Sequence, residues 1–360
     1  MHWIEMIWWL SFSIVMGYHR LVFRKRERRS SNHDWVELPG VSIVIAVKNG
    51  SERLIHNLEA FLSQDYPVFE IIIVDDHSSP EEKQKIETAV SGHTNIFLHH
   101  ADGLPGKKQA LSIGVEKAQY SLILCTDADC SPSGTSWIRS MVSHSNGNDV
   151  VIGYSLYVRT SSLLNRFVRF ETVMTAIQYF SWALMGRPYM GVGRNLLFPR
   201  QIFEEVNPFK DHVDIPYGDD DAIVQKLSKA TGVSVNLDSA SFTCSDAPVS
   251  WSSWFRQKHR HMSAGHHYAM SSWWKPGLYG MALIIHWFTL PFLSPILAQS
   301  DISFFLLSGL MIRWITYVQW TQKLGEKDTR IWYPLAEMAY AVYLAVMGLW
   351  TLVTKKKTWN

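Results

Sequence analysis

The sequence predicts an α/β protein in which a mostly parallel sheet carries helices on both faces and membrane helices flank it at either end. Three observations carry this expectation. Between residues 41 and 127, short apolar runs alternate with amphipathic stretches, the rhythm that builds a parallel sheet. Two of those runs end in paired carboxylates, Asp75-Asp76 and Asp127-Ala128-Asp129, and ligands of open α/β sheets bind beyond the carboxyl ends of strands. The two ends of the chain are apolar and tryptophan-rich, whereas the middle has the composition of a soluble domain.

Taken in order, residues 3–23 are long and apolar enough to cross a bilayer. The basic cluster Arg24-Lys25-Arg26-Glu27-Arg28-Arg29 follows that run, whereas a secretory signal carries its charge in front. By the positive-inside rule the N-terminus lies outside and the chain from Arg24 onward is cytosolic. A polar linker leads to Val41-Ser42-Ile43-Val44-Ile45-Ala46-Val47, a buried first strand, and Ser51 is placed to cap the helix after it. Residues 70–74 form the second strand, ending at Asp75-Asp76-His77-Ser78-Ser79. A polar helix from Pro80 and a short strand over 95–99 come next. The loop Gly103-Leu104-Pro105-Gly106-Lys107-Lys108 opens a helix over 109–118 that feeds the strand 122–125. Pro132 forbids that strand from continuing.

Further on, residues 149–156 read as one strand, and 163–185 as a helix with too many polar residues to be a span. Gly191-Val192-Gly193-Arg194-Asn195 is a glycine turn into a strand, and Gly218-Asp219-Asp220-Asp221 heads a helix to about Lys229. Residues 251–267 form a basic helix; its four histidines, His259, His261, His266 and His267, lack a carboxylate or thiol at zinc spacing. Apolar segments at 278–298, 302–320 and 333–353 then return the chain to the membrane. Pro291 and Pro295 break the first of these, making it a candidate re-entrant or interfacial segment.

The net charge of +2, with no basic stripe interleaved with aromatics, excludes nucleic acid as the expected partner. The three cysteines, Cys125, Cys130 and Cys244, form no disulfide framework and fit a reducing compartment. Two carboxylates one residue apart at a strand end suit a hard divalent cation shared with substrate phosphates.

The order of motifs resembles that of membrane-bound family-2 glycosyltransferases with the GT-A fold, the group that includes cellulose and hyaluronan synthases and ceramide glucosyltransferase. The resemblance covers about residues 40–265 and rests on Ile73-Val74-Asp75-Asp76-His77-Ser78, Gly106-Lys107-Lys108-Gln109-Ala110-Leu111, Asp127-Ala128-Asp129, Gly218-Asp219-Asp220-Asp221 and Gln257-Lys258-His259-Arg260-His261. It implies the nucleotide-diphospho-sugar transferase fold. It also implies donor-nucleotide contacts at Val47, Asp75, Asp76, Lys107 and Asp127, with Mg²⁺ or Mn²⁺ on Asp129 and Asp127. Asp220, with Asp219 beside it, takes the place of the catalytic base. Gln257, Arg260 and His261 fall at the acceptor and diphosphate motif, where the polymer synthases end in tryptophan; the histidine here implies an enzyme that does not extend long chains.

The expected organisation is an N-terminal span (1–23), a basic linker (24–40), a cytosolic GT-A domain (41–275) and a C-terminal membrane region (276–360). The expected reaction is inverting, metal-dependent sugar transfer from a nucleotide-diphospho-sugar, with a UDP-sugar as the expected donor, to a membrane lipid or lipid-linked acceptor at the cell inner membrane. A displacement of this kind needs positive groups at the departing diphosphate and a base at the attacking hydroxyl. Trp251, Trp254, Trp273 and Trp274 are expected to anchor the basic helix at the headgroups. The alternatives are a processive polysaccharide synthase, a non-catalytic scaffold on the same fold, and a nucleotidyltransferase, which would also use paired aspartates and Mg²⁺.

Overall fold

A computed structural model describes residues 2–24, 37–210, 218–264, 270–293 and 302–354. The chain separates into two compact units that do not follow its order. A sheet unit comprises chiefly Glu27–Val158 and Gly186–Ala247, and a helical unit comprises Met1–Arg26, Arg159–Met185 and Pro248–Lys356.

In the sheet unit the strands are, in chain order, β1 (Val41–Val47), β2 (Phe69–Asp75), β3 (Ile96–His100), β4 (Leu122–Asp127), β5 (Cys130–Pro132), β6 (Asp149–Ile152), β7 (Ser155–Tyr157), β8 (Leu196–Pro199), β9 (Gly232–Val235) and β10 (Thr243–Ser245). Seven form the main sheet, in the order β3-β2-β1-β4-β8-β6-β9, and β5-β10-β7 form a small second sheet. Strands β1 to β4 are mutually parallel where they pair, as the alternating pattern predicts. β8 inserts antiparallel between β4 and β6.

Continuous runs of β-branched residues make the inner strands because both faces of the sheet are covered. Ile43, Ile45, Ile71, Ile73, Leu122 and Leu124 pack on one face against Leu54, Leu58, Phe61, Trp137 and Met141. On the other face the Lys107–Lys117 helix lies so close that a Cβ on Gly114 would stand 2.4 Å from Val44 Cγ1 and 3.3 Å from Val74 Cγ2. Gly114→Val is therefore expected to overpack this seam by about 1–3 kcal/mol. A melting temperature equal to that of the native protein would show that the seam is not close-packed.

Two local expectations are corrected and a third is refined. Ser51 does not cap its helix: the cap position is Gly50, and the Ser51 N–H donates instead to the Glu82 carboxylate at 3.0 Å. Strand β4 does stop before Pro132, at Asp127; Pro132 itself lies in β5, an edge strand of the small sheet, where a missing N–H is tolerated. Residues 149–156 are two strands in different sheets, divided at Gly153. A side chain there would run into that of Asn195, with a Cβ 2.4 Å from its Nδ2.

The helical unit holds the His2–Gly17 helix, extended by a π-helical turn over Tyr18–Val22, and the Leu163–Leu184, Trp251–Ala264, Met270–Thr289, Ile302–Lys323 and Tyr333–Val353 helices. Trp274–Leu293, Ile302–Lys323 and Lys327–Val353 are long and apolar enough to cross a membrane. The Met270–Thr289 helix runs through Pro276, and a short 3₁₀ turn carrying Pro291 follows it; Pro295 lies outside the described residues. Polar ties hold the unit together. Arg313 Nε donates to both carboxylate oxygens of Glu337 at 3.0 and 3.2 Å, with both side chains fully buried. Arg169, buried in the Leu163–Leu184 helix, binds Glu326 and Asp328 in the turn between the last two helices.

Candidate active site at the carboxyl edge of the sheet

Parallel register sets the site. Val47, the last residue of β1, lies opposite Asp75, and Ala46 lies opposite Asp127, so the acidic ends of β2 and β4 flank the end of β1. Val47 contributes its carbonyl, which accepts from the Asp76 N–H at 2.7 Å. Both Asp75 and Asp76 are buried. Asp75 Oδ2 faces Lys83 Nζ at 3.5 Å and His100 Nδ1 at 3.4 Å. Asp76 Oδ1 accepts from the Gly106 N–H at 3.0 Å and meets His77 Nδ1 at 3.0 Å. The other oxygens, Asp75 Oδ1 and Asp76 Oδ2, are buried without a hydrogen-bond partner. Such acceptors carry a desolvation cost that a donor group on a ligand would remove. His77 holds φ +60°, a left-handed conformation unusual for its type, right where its ring meets Asp76.

One residue after Gly106, Lys107 begins its helix and joins the other two acidic motifs. Its Nζ lies 2.8 Å from Asp127 Oδ1 and 3.0 Å from Asp219 Oδ2. Burial opposes a charge on this amine, but Asp127, Asp219 and Asp220 outweigh it and hold the ammonium well above its ordinary range. Asp219 and Asp220 open the Asp219–Ala230 helix after Gly218, whose φ of +74° suits glycine. Asp220 accepts from the Gly193 N–H and from the Asp221 N–H, each at 3.0 Å. Burial, and secondly the negative charge of Asp219, push the Asp220 carboxyl up to about 6, with Lys107 opposing. All three acidic motifs are thus linked through the two consecutive residues Gly106 and Lys107.

Beyond β4, ligand atoms of Asp127, Asp129 and Cys130 lie within 4.8 Å of one another. Asp129 is half-exposed and faces Arg53 at 3.6 Å. Burial raises the Cys130 thiol far above its ordinary range, and its Sγ donates to Asp129 Oδ1 at 3.5 Å; a soft sulfur is in any case a poor ligand for a hard cation. What remains is a pair of hard carboxylate oxygens, a donor set that fits Mg²⁺ or Mn²⁺ better than zinc.

Gln257, Arg260 and His261 lie in the Trp251–Ala264 helix of the helical unit. Within that unit Lys258 pairs with Glu171, and His259 Nε2 meets Thr354 Oγ1 at 2.8 Å. His266, His267 and the Trp273 side chain lie outside what is described. Of the expected anchors, Trp251 and Trp274 are exposed, but Trp254 is fully buried against Phe167 and Tyr343 and is a core residue.

Sequence reasoning missed Arg53, Lys83, His100 and, above all, Arg194. The last follows a Gly-x-Gly, a pattern too common to carry information by itself. Its carbonyl accepts from Thr126 Oγ1 at 3.0 Å and Thr243 Oγ1 at 3.2 Å, which fixes it beside the end of β4.

Comparison with known proteins finds similar sequences and a similar fold. Residues 42–206 match the family described as Glycosyl transferase family 2. A poly-β-1,6-N-acetyl-D-glucosamine synthase of Staphylococcus epidermidis is 35% identical over 127 residues, 34% of this chain and 29% of that protein. The glycosyltransferase AglE of Haloferax volcanii is 27% identical over 182 residues, 49% of this chain and 58% of that protein. The aligned part is therefore less than two-thirds of either relative's length. A mannosyltransferase of Pyrobaculum calidifontis, solved with GDP-Man and Mn²⁺, has a similar fold: the TM-score is 0.61 at 17% identity, over 96% of this chain and 99% of that one.

Proposed function

Since residues 42–206 carry a family-2 glycosyltransferase domain, we propose that the protein transfers a sugar from a nucleotide-diphospho-sugar, with inversion, to a membrane lipid or lipid-linked acceptor, adding single or few units. The observation that carries this reading is the linkage of Asp76, Asp127 and Asp219 through Gly106 and Lys107. Buried acceptors for a base or ribose, a cation seat and a carboxylate held near neutrality then lie along one sheet edge. The similar AglE is a glycosyltransferase, which supports sugar transfer, while the similar poly-β-1,6-N-acetyl-D-glucosamine synthase keeps the processive alternative for the test below.

In this reading Asp75 and Asp76 take donor N–H and O–H groups on their unpartnered oxygens. A divalent cation on Asp127 and Asp129 would act as a Lewis acid on the donor diphosphate. Lys107 supplies fixed positive charge where negative charge develops. Asp220 removes the proton of the attacking acceptor hydroxyl, a role its raised pKa suits. Single displacement on the face opposite the leaving group inverts the anomeric centre, by the same geometry as in inverting glycosidases. A lipid acceptor suits a chain with three helices able to cross a membrane, with the sheet unit in the cytosol.

The test is to incubate membranes containing the protein with a panel of radiolabelled sugar nucleotides and Mn²⁺ or Mg²⁺. Release of nucleoside diphosphate with label in the organic phase is expected. Pyrophosphate release would make the protein a nucleotidyltransferase, and label confined to a long water-soluble polymer would make it a processive synthase.

A further inference from the structure

Arg194, whose carbonyl is bonded beside the end of β4, is a strong cation that the proposed mechanism leaves idle. Its Nη1 donates to Ser245 Oγ at 2.8 Å, and its guanidinium lies over the Tyr157 ring at 4.9 Å. Among the described residues no carboxylate makes an ion pair with it. Lys107, by contrast, is engaged by two carboxylates and Arg53 faces Asp129. The backbone around Arg194 is fixed from three sides: its carbonyl takes two threonine hydroxyls, and the preceding Gly193 N–H holds Asp220. Gly193 also brings the turn against the carboxylates, with its Cβ position 3.5 Å from both Asp219 Oδ2 and Lys107 Nζ. Burial opposes the guanidinium's charge, and Tyr157, Cys130, Asp127 and Asp129, in that order, favour it.

A guanidinium oriented by a hydroxyl and an aromatic face, but given no anion of its own, is a preorganised fork for a planar or tetrahedral oxyanion. The Ser245 bond and the Tyr157 ring hold the guanidinium in place, leaving the remaining N–H donors for a ligand. We propose that Arg194 is a phosphate-binding residue of this site, taking a phosphate oxygen of either the sugar-nucleotide diphosphate or a phosphate-bearing acceptor. The assignment rests on reading the site as one for nucleotide-linked sugars.

The test uses the full-length protein in detergent with Mn²⁺, titrated calorimetrically with uridine and guanosine diphosphates, the corresponding nucleosides and inorganic phosphate. If the phosphate is the donor's, Arg194→Gln weakens nucleoside diphosphate binding at least tenfold and leaves the nucleoside unchanged, while Arg194→Lys recovers part of the loss. If it is the acceptor's, nucleoside diphosphate binding is unchanged, and the variant loses the inorganic phosphate that binds native protein already saturated with nucleoside diphosphate. No change in either titration overturns the assignment. Arg194-dependent phosphate binding by a protein that binds no nucleoside diphosphate would uphold Arg194 and remove the transferase reading instead.

Discussion

Asp129→Asn is expected to lower sugar transfer by about 10³-fold while leaving the protein folded. Loss of a metal carboxylate removes several kcal/mol of transition-state charge stabilisation, and each 1.4 kcal/mol is about tenfold in rate. Stability should barely change. The side chain is 43% exposed and its partner Arg53 stands 3.6 Å away in solvent, a pair of the kind that contributes little. Transfer and metal titrations on the purified variant decide the matter: near-native turnover at saturating Mn²⁺ and Mg²⁺ would remove Asp129 from the metal site.

For Asp220→Asn a fall in kcat of at least about 10²-fold is expected, with donor binding intact, because a general base is lost and no donor contact is. The amide keeps one acceptor oxygen for either the Gly193 or the Asp221 N–H, so a modest stability loss of about 1 kcal/mol accompanies it. The native protein should show the matching pH dependence. A carboxyl raised to about 6 is mostly protonated, and useless as a base, below that pH. Activity therefore falls about tenfold per pH unit on the acid side and levels off above. An acid limb unchanged in Asp220→Asn, or loss of donor binding in that variant, would assign the residue to the donor site instead.

The fold was legible where a single physical pressure dominated. The β1 and β4 sequences are apolar on both faces because helices cover both, and that alone makes their runs continuous. The acidic motifs stood out because two of them, Asp75-Asp76 and Asp127-Ala128-Asp129, end strands of one parallel sheet and so share its carboxyl edge. Features decided by tertiary contact were not legible. Residues 149–156 carry no local sign that Asn195 crowds Gly153 and diverts the strand to another sheet. Trp254 has the composition of an interfacial residue but is buried by Phe167 and Tyr343, which are distant in sequence. Arg194 gains its meaning only from Tyr157 and Ser245, brought beside it by the small sheet.

The buried pair of Arg313 and Glu337 has a consequence for how the chain is assembled. Alone in hydrocarbon, Ile302–Lys323 would carry an unmatched cation and Tyr333–Val353 an unmatched anion, each costing roughly 2.5–3.5 kcal/mol at mid-bilayer. Joined through Arg313 Nε and both Glu337 oxygens, they would enter a bilayer as a neutral hairpin. Glu337 follows Arg313 by 24 residues, so in a bilayer the earlier helix would gain its counter-ion only once the later one is made. The same pair keys the register: a slip of one turn, about 5.4 Å, would part the ions inside a medium that cannot solvate either.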